Sequence, residues 1–203
     1  MDTLEYVTPR EWATAALKEP LRLLDDHAHC ELGAAAAAQA LLMHNPHRSK
    51  LVDRLGALVI EEMRHFRQVH AILVERGGRL SHPRKNAYVE GLRAWIRRGS
   101  AEVLLDRLLV AGAIELRSLE RFELLAEVAT DVELQRLYAE LGPSERGHAM
   151  LFGELAQDFF GERARTRWDE LRAHESRISA GAPPGPRVHA GPPVKVGAST
   201  VEG

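Results

Sequence analysis

Four stretches of the chain repeat apolar residues at alternating steps of three and four, and each repeat is interrupted near its middle by a glutamate. This spacing places the apolar side chains on one face of an α-helix. A helix with one apolar face buries it against other helices, so the pattern predicts an all-α four-helix bundle. The predicted helices cover about residues 21–44, 48–76, 100–128 and 134–160.

The polar centres of the four faces follow one repeated arrangement. The first and third helices each carry a single glutamate, whereas the second and fourth each carry Glu-x-x-His, whose two side chains share one helix face. The nearly equal spacing in the two halves indicates an internal duplication. The six residues are Glu31, Glu62, His65, Glu115, Glu145 and His148.

Four carboxylates at one level of a core need cations. A buried carboxylate without a partner costs several kcal/mol or becomes protonated, and four together repel one another. Two divalent ions would balance the four charges, and these six residues are the ligand set of di-iron and di-manganese bundles. The alternative is that the glutamates lie on solvated faces and the histidines are ordinary, partly buried residues.

The chemistry of the donors favours iron. Oxygen-rich ligands with two imidazoles suit iron or manganese better than zinc or copper, and we predict two carboxylate-bridged iron ions. Such a pair can use O₂ as a co-substrate in a dry, partly apolar pocket. The sequence carries no flavin or haem signature, so we expect a separate reductase or soluble electron donor.

Composition indicates one domain followed by a tail. The 203 residues allow one core, and we assign 1–178 to the bundle, with short helices at about 10–17 and 162–178 and a long connection at 77–99. Residues 179–203 are rich in glycine and proline, which predicts a disordered tail. The single cysteine and the absence of a membrane-length apolar run predict a cytoplasmic protein with no membrane contact.

Pro143 interrupts the fourth helix just before its Glu-x-x-His motif. A proline inside a helix removes one backbone hydrogen bond and crowds the preceding turn, at a cost of about 3 kcal/mol. We expect a kink at this point, with a π-bulge as the alternative, and either change would affect the position of Glu145.

Five segments of the chain carry a resemblance to a known family. They are His27-Ala-His-Cys-Glu31, Glu61-Glu-Met-Arg-His-Phe66, Arg76-Gly-Gly-Arg-Leu80, Gly112-Ala-Ile-Glu-Leu-Arg-Ser118 with Glu120-Arg-Phe122, and Ser144-Glu-Arg-Gly-His148. Together they resemble the bacterial tRNA hydroxylases that act on 2-methylthio-isopentenyladenosine. The resemblance covers about residues 10–178.

The resemblance implies a ferritin-like, non-haem di-iron monooxygenase that uses O₂ to hydroxylate the isopentenyl group of a modified adenosine next to the tRNA anticodon. It places the six residues at the family's metal-binding positions, with at least one bridging carboxylate. The bundle alone leaves open a ferritin- or rubrerythrin-like protein that oxidises iron or reduces peroxide and has no RNA substrate.

The long connection is basic, as an RNA partner would require. Six cations face a single acid there, Glu90, and Tyr88 and Trp95 lie among them. Such a segment can hold an anticodon loop by phosphate contact and base stacking, although a solvated basic loop with aromatics packed on the bundle is the alternative. The six cations are Arg79, Arg84, Lys85, Arg93, Arg97 and Arg98.

Overall fold

A computed structural model describes residues 3–99 and 102–193, and these residues form seven α-helices. The long helices lie close to their predicted bounds, although the start predicted at residue 100 lies outside the described residues. The helices are α1 (Arg10–Ala16), α2 (Pro20–His44), α3 (Ser49–Glu75), α4 (Ala87–Trp95), α5 (Val103–Val128), α6 (Val132–Phe160) and α7 (Glu162–Gly181).

The four long helices form the bundle in two hairpins. Short loops join α2 to α3 and α5 to α6, so each hairpin is antiparallel. Ion pairs at opposite ends of the α3–α6 contact, Lys50 with Asp158 and Arg76 with Asp131, show that these two helices are also antiparallel. Therefore α3 and α5 are parallel, and the chain between them must run the length of the bundle. This crossover is the long connection predicted at residues 77–99, and it contains α4.

The buried core is divided into two apolar clusters. One contains Leu58 of α3 with residues towards one end of the bundle, and the other contains Val69 of α3 with residues towards the opposite end. Glu62 and His65 lie between Leu58 and Val69 in the sequence of α3, and neither belongs to a cluster. The polar centres of the four helix faces therefore form a layer inside an otherwise apolar core.

Pro143 lies within a continuous helix. Residues 132–160 are all α-helical, so the alternative of a π-bulge is wrong, and Glu145 stays buried. Pro143 faces solvent, and so does Ala139, whose carbonyl loses the hydrogen bond that the proline cannot donate. Water can satisfy that carbonyl, which explains why the proline does not interrupt the helix.

The C-terminal residues differ from the prediction. Helix α7 continues to Gly181, and residues 182–193, which we call the C-terminal strap, fold back onto the bundle. Val188 is fully buried, its N–H donates to Asp26, and its carbonyl accepts from Arg121. The prediction of disorder is wrong for residues 179–193, because these contacts anchor the segment although it is rich in glycine and proline. Residues 194–203 of the predicted tail lie outside the described residues.

Candidate metal centre

The six predicted side chains meet at one level of the bundle, and none is more than 8% exposed. Their donor atoms form two groups in which all three atoms lie within 4.8 Å of one another. Glu62 belongs to both groups, so its carboxylate lies within reach of the donor atoms of each. The first group is Glu31, Glu62 and His65, and the second is Glu62, Glu115 and His148.

Glu145 occupies a different place from the one its motif suggests. His148 Nδ1 is 3.0 Å from Glu62 Oε1 but 3.9 Å from Glu145 Oε2, and Glu145 belongs to neither three-residue group. Its carboxylate lies close to Glu115 instead, since the two carboxyl groups alter each other's pKa. The structure thus brings all six side chains together, with Glu145 beside Glu115 at the edge of the second group.

Several buried donor atoms of the layer have no hydrogen-bond partner in the described part of the chain. They are Glu62 Oε1, His65 Nδ1 and both ring nitrogens of His148. Even at 3.0 Å, His148 Nδ1 and Glu62 Oε1 lack hydrogen-bond geometry. Buried polar atoms are rarely left unpaired, and metal ions would bind these atoms directly. Oxygen donors with two imidazoles fit iron or manganese, so the residues present suit the predicted pair of ions.

The ionisation of the layer shows the charge conflict that cations would resolve. Burial, together with the charge of Glu62, raises the pKa of Glu115 to about 7, and burial beside Glu115 raises the pKa of Glu145 well above its usual range. Burial lowers the pKa of His65, but the adjacent Glu31 and Glu62 carboxylates outweigh this effect and raise it to about 10. Protons therefore balance the carboxylates wherever cations do not.

His27 is a residue of the site that the sequence analysis did not identify. Its ring is fully buried between Phe122 and Tyr138, and its Nε2 lies 2.6 Å from Glu31 Oε1. The other oxygen of Glu31, Oε2, lies 3.7 Å from His65 Nδ1, so the two histidines approach different oxygens of this carboxylate. The available signal was the spacing, since His27 precedes Glu31 by one helical turn on the same face.

A large cavity reaches the layer from the side of α2 and α5. Its volume is about 1190 Å³, and its lining includes all four carboxylates but neither His65 nor His148. Near the carboxylates its walls are apolar and partly small, which suits an aliphatic group and keeps water out. The apolar lining includes Ala34, Ala37, Val110, Ile114 and Phe152.

The same cavity is lined by much of the predicted basic segment. Arg79 is not part of the lining, whereas three cations from other segments, Arg22, Arg107 and Arg187, belong to it. These three were missed because they are distant in sequence and only the fold brings them together. The predicted residues that line the cavity are Arg84, Lys85, Arg93, Arg97 and Arg98.

Three side chains of the basic segment have structural roles. Arg97 forms ion pairs with Asp106, which is completely buried, and with Glu102. Tyr88 is buried and its hydroxyl donates to Glu175, while the guanidinium of Arg167 covers the ring of Trp95 at 3.4 Å. For both aromatics, packing on the bundle is therefore the correct alternative, and neither offers a free face to a base.

Comparison with known proteins relates the fold and the site to one family. The sequence model described as tRNA-(MS[2]IO[6]A)-hydroxylase (MiaE) matches residues 1–190. The chain belongs to this family. A relative from Pseudomonas putida, named tRNA 2-(methylsulfanyl)-N(6)-isopentenyladenosine(37) hydroxylase, is 35% identical over 187 residues, which cover 92% of this chain and 91% of that protein. A relative of the same name from Salmonella typhimurium is 32% identical over 142 residues, or 69% of this chain and 51% of that protein.

A solved structure supports the fold assignment within the family. It is titled as protein 43 with aldehyde deformylating oxygenase activity from Synechococcus, and it is 35% identical to this chain with a TM-score of 0.90. The match covers 96% of this chain and 100% of the other. This likeness confirms the predicted ferritin-like, all-α bundle. In addition, none of the helices in residues 3–99 and 102–193 has the length and apolar character needed to cross a membrane.

Proposed function

We propose that the protein is a di-iron tRNA hydroxylase that acts on the isopentenyl group of 2-methylthio-isopentenyladenosine next to the anticodon. The observation that carries this proposal is the single cavity that joins the buried carboxylates to the basic residues of the connection. Family membership supports the same substrate, since both named relatives are hydroxylases of this nucleoside. A tRNA substrate implies that the protein works in the cytoplasm.

We propose that the six residues of the layer hold two iron ions. When bound, these ions would supply the reduction of O₂ to an oxidant strong enough to attack an allylic C–H bond of the isopentenyl group. The apolar walls, including Ala37 and Ile114, would hold the five-carbon chain beside the carboxylates and exclude water. His27 would orient Glu31 through its hydrogen bond, and burial of both residues keeps that contact dry.

The basic part of the cavity would hold the RNA. Phosphate contacts position a nucleic acid without reading its sequence, and exposed arginine and lysine side chains are suited to that task. Arg84, Lys85, Arg93 and Arg98 are exposed and form no ion pair with other described residues. We therefore propose these four as phosphate contacts. Arg97 is better explained as the structural partner of Asp106.

A direct assay tests the proposed reaction. The protein would be loaded with ferrous iron without oxygen, chemically reduced, mixed with tRNA that carries the modified nucleoside and exposed to O₂. Mass spectrometry of the nucleosides should show the gain of one oxygen atom on the isopentenyl group. An iron-loaded, reduced protein that leaves this nucleoside unchanged would refute the proposal.

Cavity-filling variants test where the aliphatic group binds. Ala37→Phe places a ring in the cavity, so we expect hydroxylation to fall while the iron content stays the same. Ala36→Phe is the matched control, because Ala36 is the exposed neighbour on α2 and is not part of the lining. Equal hydroxylation by both variants would contradict the proposed position of the substrate.

A second candidate substrate is a free aliphatic aldehyde. The specific observation is the solved relative named for aldehyde deformylating oxygenase activity, together with the apolar walls beside the carboxylates. Incubation of the reduced, iron-loaded protein with a medium-chain aldehyde would yield an alkane and formate on this hypothesis. Hydroxylated tRNA without alkane supports the first candidate, and alkane without hydroxylated tRNA supports the second.

The alternative of a ferritin- or rubrerythrin-like protein makes a different prediction. Such a protein would consume iron or peroxide and would not distinguish modified from unmodified RNA. Binding of anticodon stem-loops with and without the isopentenyl group, measured at physiological salt, separates the two. Equal, weak binding of both stem-loops would favour the alternative.

A further inference from the structure

The two histidines of the layer face a different side of the bundle from the cavity. The cavity is lined by the carboxylates and by neither histidine. His148 Nε2 lies 3.4 Å from Glu61 Oε2, and the Glu61 side chain is 44% exposed between α3 and α6. On this side the partly exposed Glu61 side chain therefore connects solvent with the ring of His148.

We expect electrons to reach the layer from the side of the histidines rather than through the cavity. This inference rests on the proposed function, in which hydroxylation of a C–H bond consumes O₂, two electrons and two protons and forms one water molecule. A tRNA bound at the basic residues would cover the opening of the cavity. The α3–α6 side stays accessible while the substrate is bound, and it lies close to His65 and His148.

The surface above Glu61 carries exposed apolar side chains. Contacts between Arg54 and Glu154 and between Gln68 and Glu140 fix the register of α3 against α6, and they place Ile60 and Met150 near the level of Glu61. Ile60 is 57% exposed and Met150 is 56% exposed. Large exposed apolar groups concentrated in one area are typical of interaction surfaces.

Two exposed arginines outnumber Glu61 in this area and give it a net positive charge. Arg64 and Arg67 lie on the exposed side of α3, and neither forms an ion pair with another residue of the described ranges. By contrast, Arg146 on α6 is neutralised by Glu123. We define the seam patch as Ile60, Met63, Arg64, Arg67 and Met150. An apolar centre flanked by unpaired arginines complements a partner with an acidic face.

We propose that the seam patch is the docking surface for an acidic one-electron carrier protein that reduces the centre past Glu61 and His148. The apolar side chains would form the centre of the contact, and Arg64 and Arg67 would steer the partner and set its orientation. The carrier would be oxidised by one electron in each encounter, so two encounters would supply one hydroxylation.

Binding to the metal-free protein tests the docking surface without relying on turnover. The probe is an acidic [2Fe–2S] ferredoxin, and its Kd would be measured by calorimetry at low and high salt. We expect Ile60→Glu, and the double variant Arg64→Glu with Arg67→Glu, to weaken binding by about tenfold or more. Arg165→Glu on α7 is the control, since Arg165 is exposed outside the seam patch, and it should bind as the wild type does. Absence of binding by the wild type, or equal binding by the seam variants, would overturn the proposal.

Two further measurements distinguish the docking of a carrier from a failure of the hydroxylation itself and from self-association of the chain. The loaded seam variants should hydroxylate tRNA normally with dithionite and a small mediator but slowly with the ferredoxin. A wild type that fails with dithionite as well would reject the proposed hydroxylation, while the calorimetry would still decide the docking surface. Sedimentation of wild type and Ile60→Glu checks for a second copy of the chain, and a dimer lost in the variant would mean that self-association occupies the patch.

Discussion

At the scale of single residues, Glu62 is the side chain that joins the two halves of the proposed metal centre. It belongs to both groups of donor atoms, and it approaches His65 at 3.8 Å and His148 at 3.0 Å. Both groups of donor atoms contain this one carboxylate, and no other side chain of the layer belongs to both. Loss of Glu62 should therefore affect both ions at once.

We predict that Glu62→Gln will bind less than half of the wild-type iron. The amide keeps the size of the side chain but removes the negative charge and one oxygen donor, so a bridge between two cations is lost. Glu61→Gln is the matched control, because Glu61 is the half-exposed neighbour and belongs to neither group. Iron would be measured by mass spectrometry after anaerobic loading, and a full complement in Glu62→Gln would contradict the bridging role.

In the proposed centre, His27 would act through Glu31 rather than by contact with a metal. The hydrogen bond with His27 and the nearby ring of His65 outweigh the effect of burial and hold the pKa of Glu31 below its usual range. We predict that His27→Phe, which keeps the aromatic packing with Tyr138 and loses the hydrogen bond, will weaken iron binding by about 10- to 100-fold. His27→Gln can restore a donor and should recover part of the affinity. Metal competition titrations measure both variants, and unchanged affinity in His27→Phe would show that the contact has no role in metal binding.

The residues of the site differ in how well the sequence identified them. The six residues of the layer interrupt otherwise apolar faces, which is a strong signal, because unpaired charge in a core is costly. Arg22, Arg107 and Arg187 interrupt no comparable pattern, and only the tertiary structure brings them to the cavity. Residues that act through a shared space are therefore harder to predict than residues that break a periodic pattern.

At the scale of helices and segments, periodicity predicted the long helices, whereas composition failed for the C-terminal strap. Glycine and proline content predicts disorder because few side chains can be buried. However, Arg121 of α5 is a buried cation that needs an acceptor, and the carbonyl of Val188 in the strap supplies it. Gly191 is also required, since a Cβ there would lie 1.8 Å from the carbonyl oxygen of Ala182. These needs arise from the bundle and leave no periodic trace in the strap itself.

Helix α6 depends on Asp131 at its N-terminus. The carboxylate accepts hydrogen bonds from the N–H groups of Glu133 and Leu134 and forms an ion pair with Arg76 of α3. Asp131→Ala removes both interactions, and we predict a loss of about 1–2 kcal/mol of unfolding free energy. Asp131→Asn keeps the cap and should lose less. Urea unfolding of the metal-free protein at pH 7 measures both losses, and equal losses would show that the cap contributes nothing beyond the charge pair.

The ion pair between Arg76 and Asp131 also makes the stability of the fold depend on pH. The hydrogen bonds from Arg76 lower the pKa of Asp131 to about 2 from 3.8. A lowered pKa stabilises the fold above the unfolded value, and this contribution is lost as pH falls from about 4 towards 2. The stability difference between wild type and Asp131→Asn should therefore shrink as the pH is lowered through that range. A difference that stays constant between pH 7 and pH 3 would contradict this assignment.

At the scale of the whole molecule, the basic residues that line the cavity divide between a structural role and the proposed binding of RNA. Only the fold shows which residue has which role. Arg93 and Arg98 are exposed and have no acidic partner in the described residues, whereas Arg97, beside Arg98 in sequence, is paired with the buried Asp106. We predict that Arg93→Ala and Arg98→Ala will each lower the salt dependence of anticodon stem-loop binding, by about 0.7 in the slope of log K against log salt concentration.

Arg97→Ala should behave differently from its neighbour. Removal of Arg97 leaves a buried carboxylate with only Arg167 as its remaining arginine, so we expect a loss of about 1–3 kcal/mol in unfolding free energy and little change in the salt slope. Fluorescence titrations at several salt concentrations, together with urea unfolding, measure both quantities for each variant. If Arg97→Ala lowered the slope as much as Arg98→Ala without destabilising the fold, Arg97 would be a phosphate contact. The opposite result would show that the bundle uses one cation of the basic segment to fix the segment in place and leaves its neighbours to bind RNA.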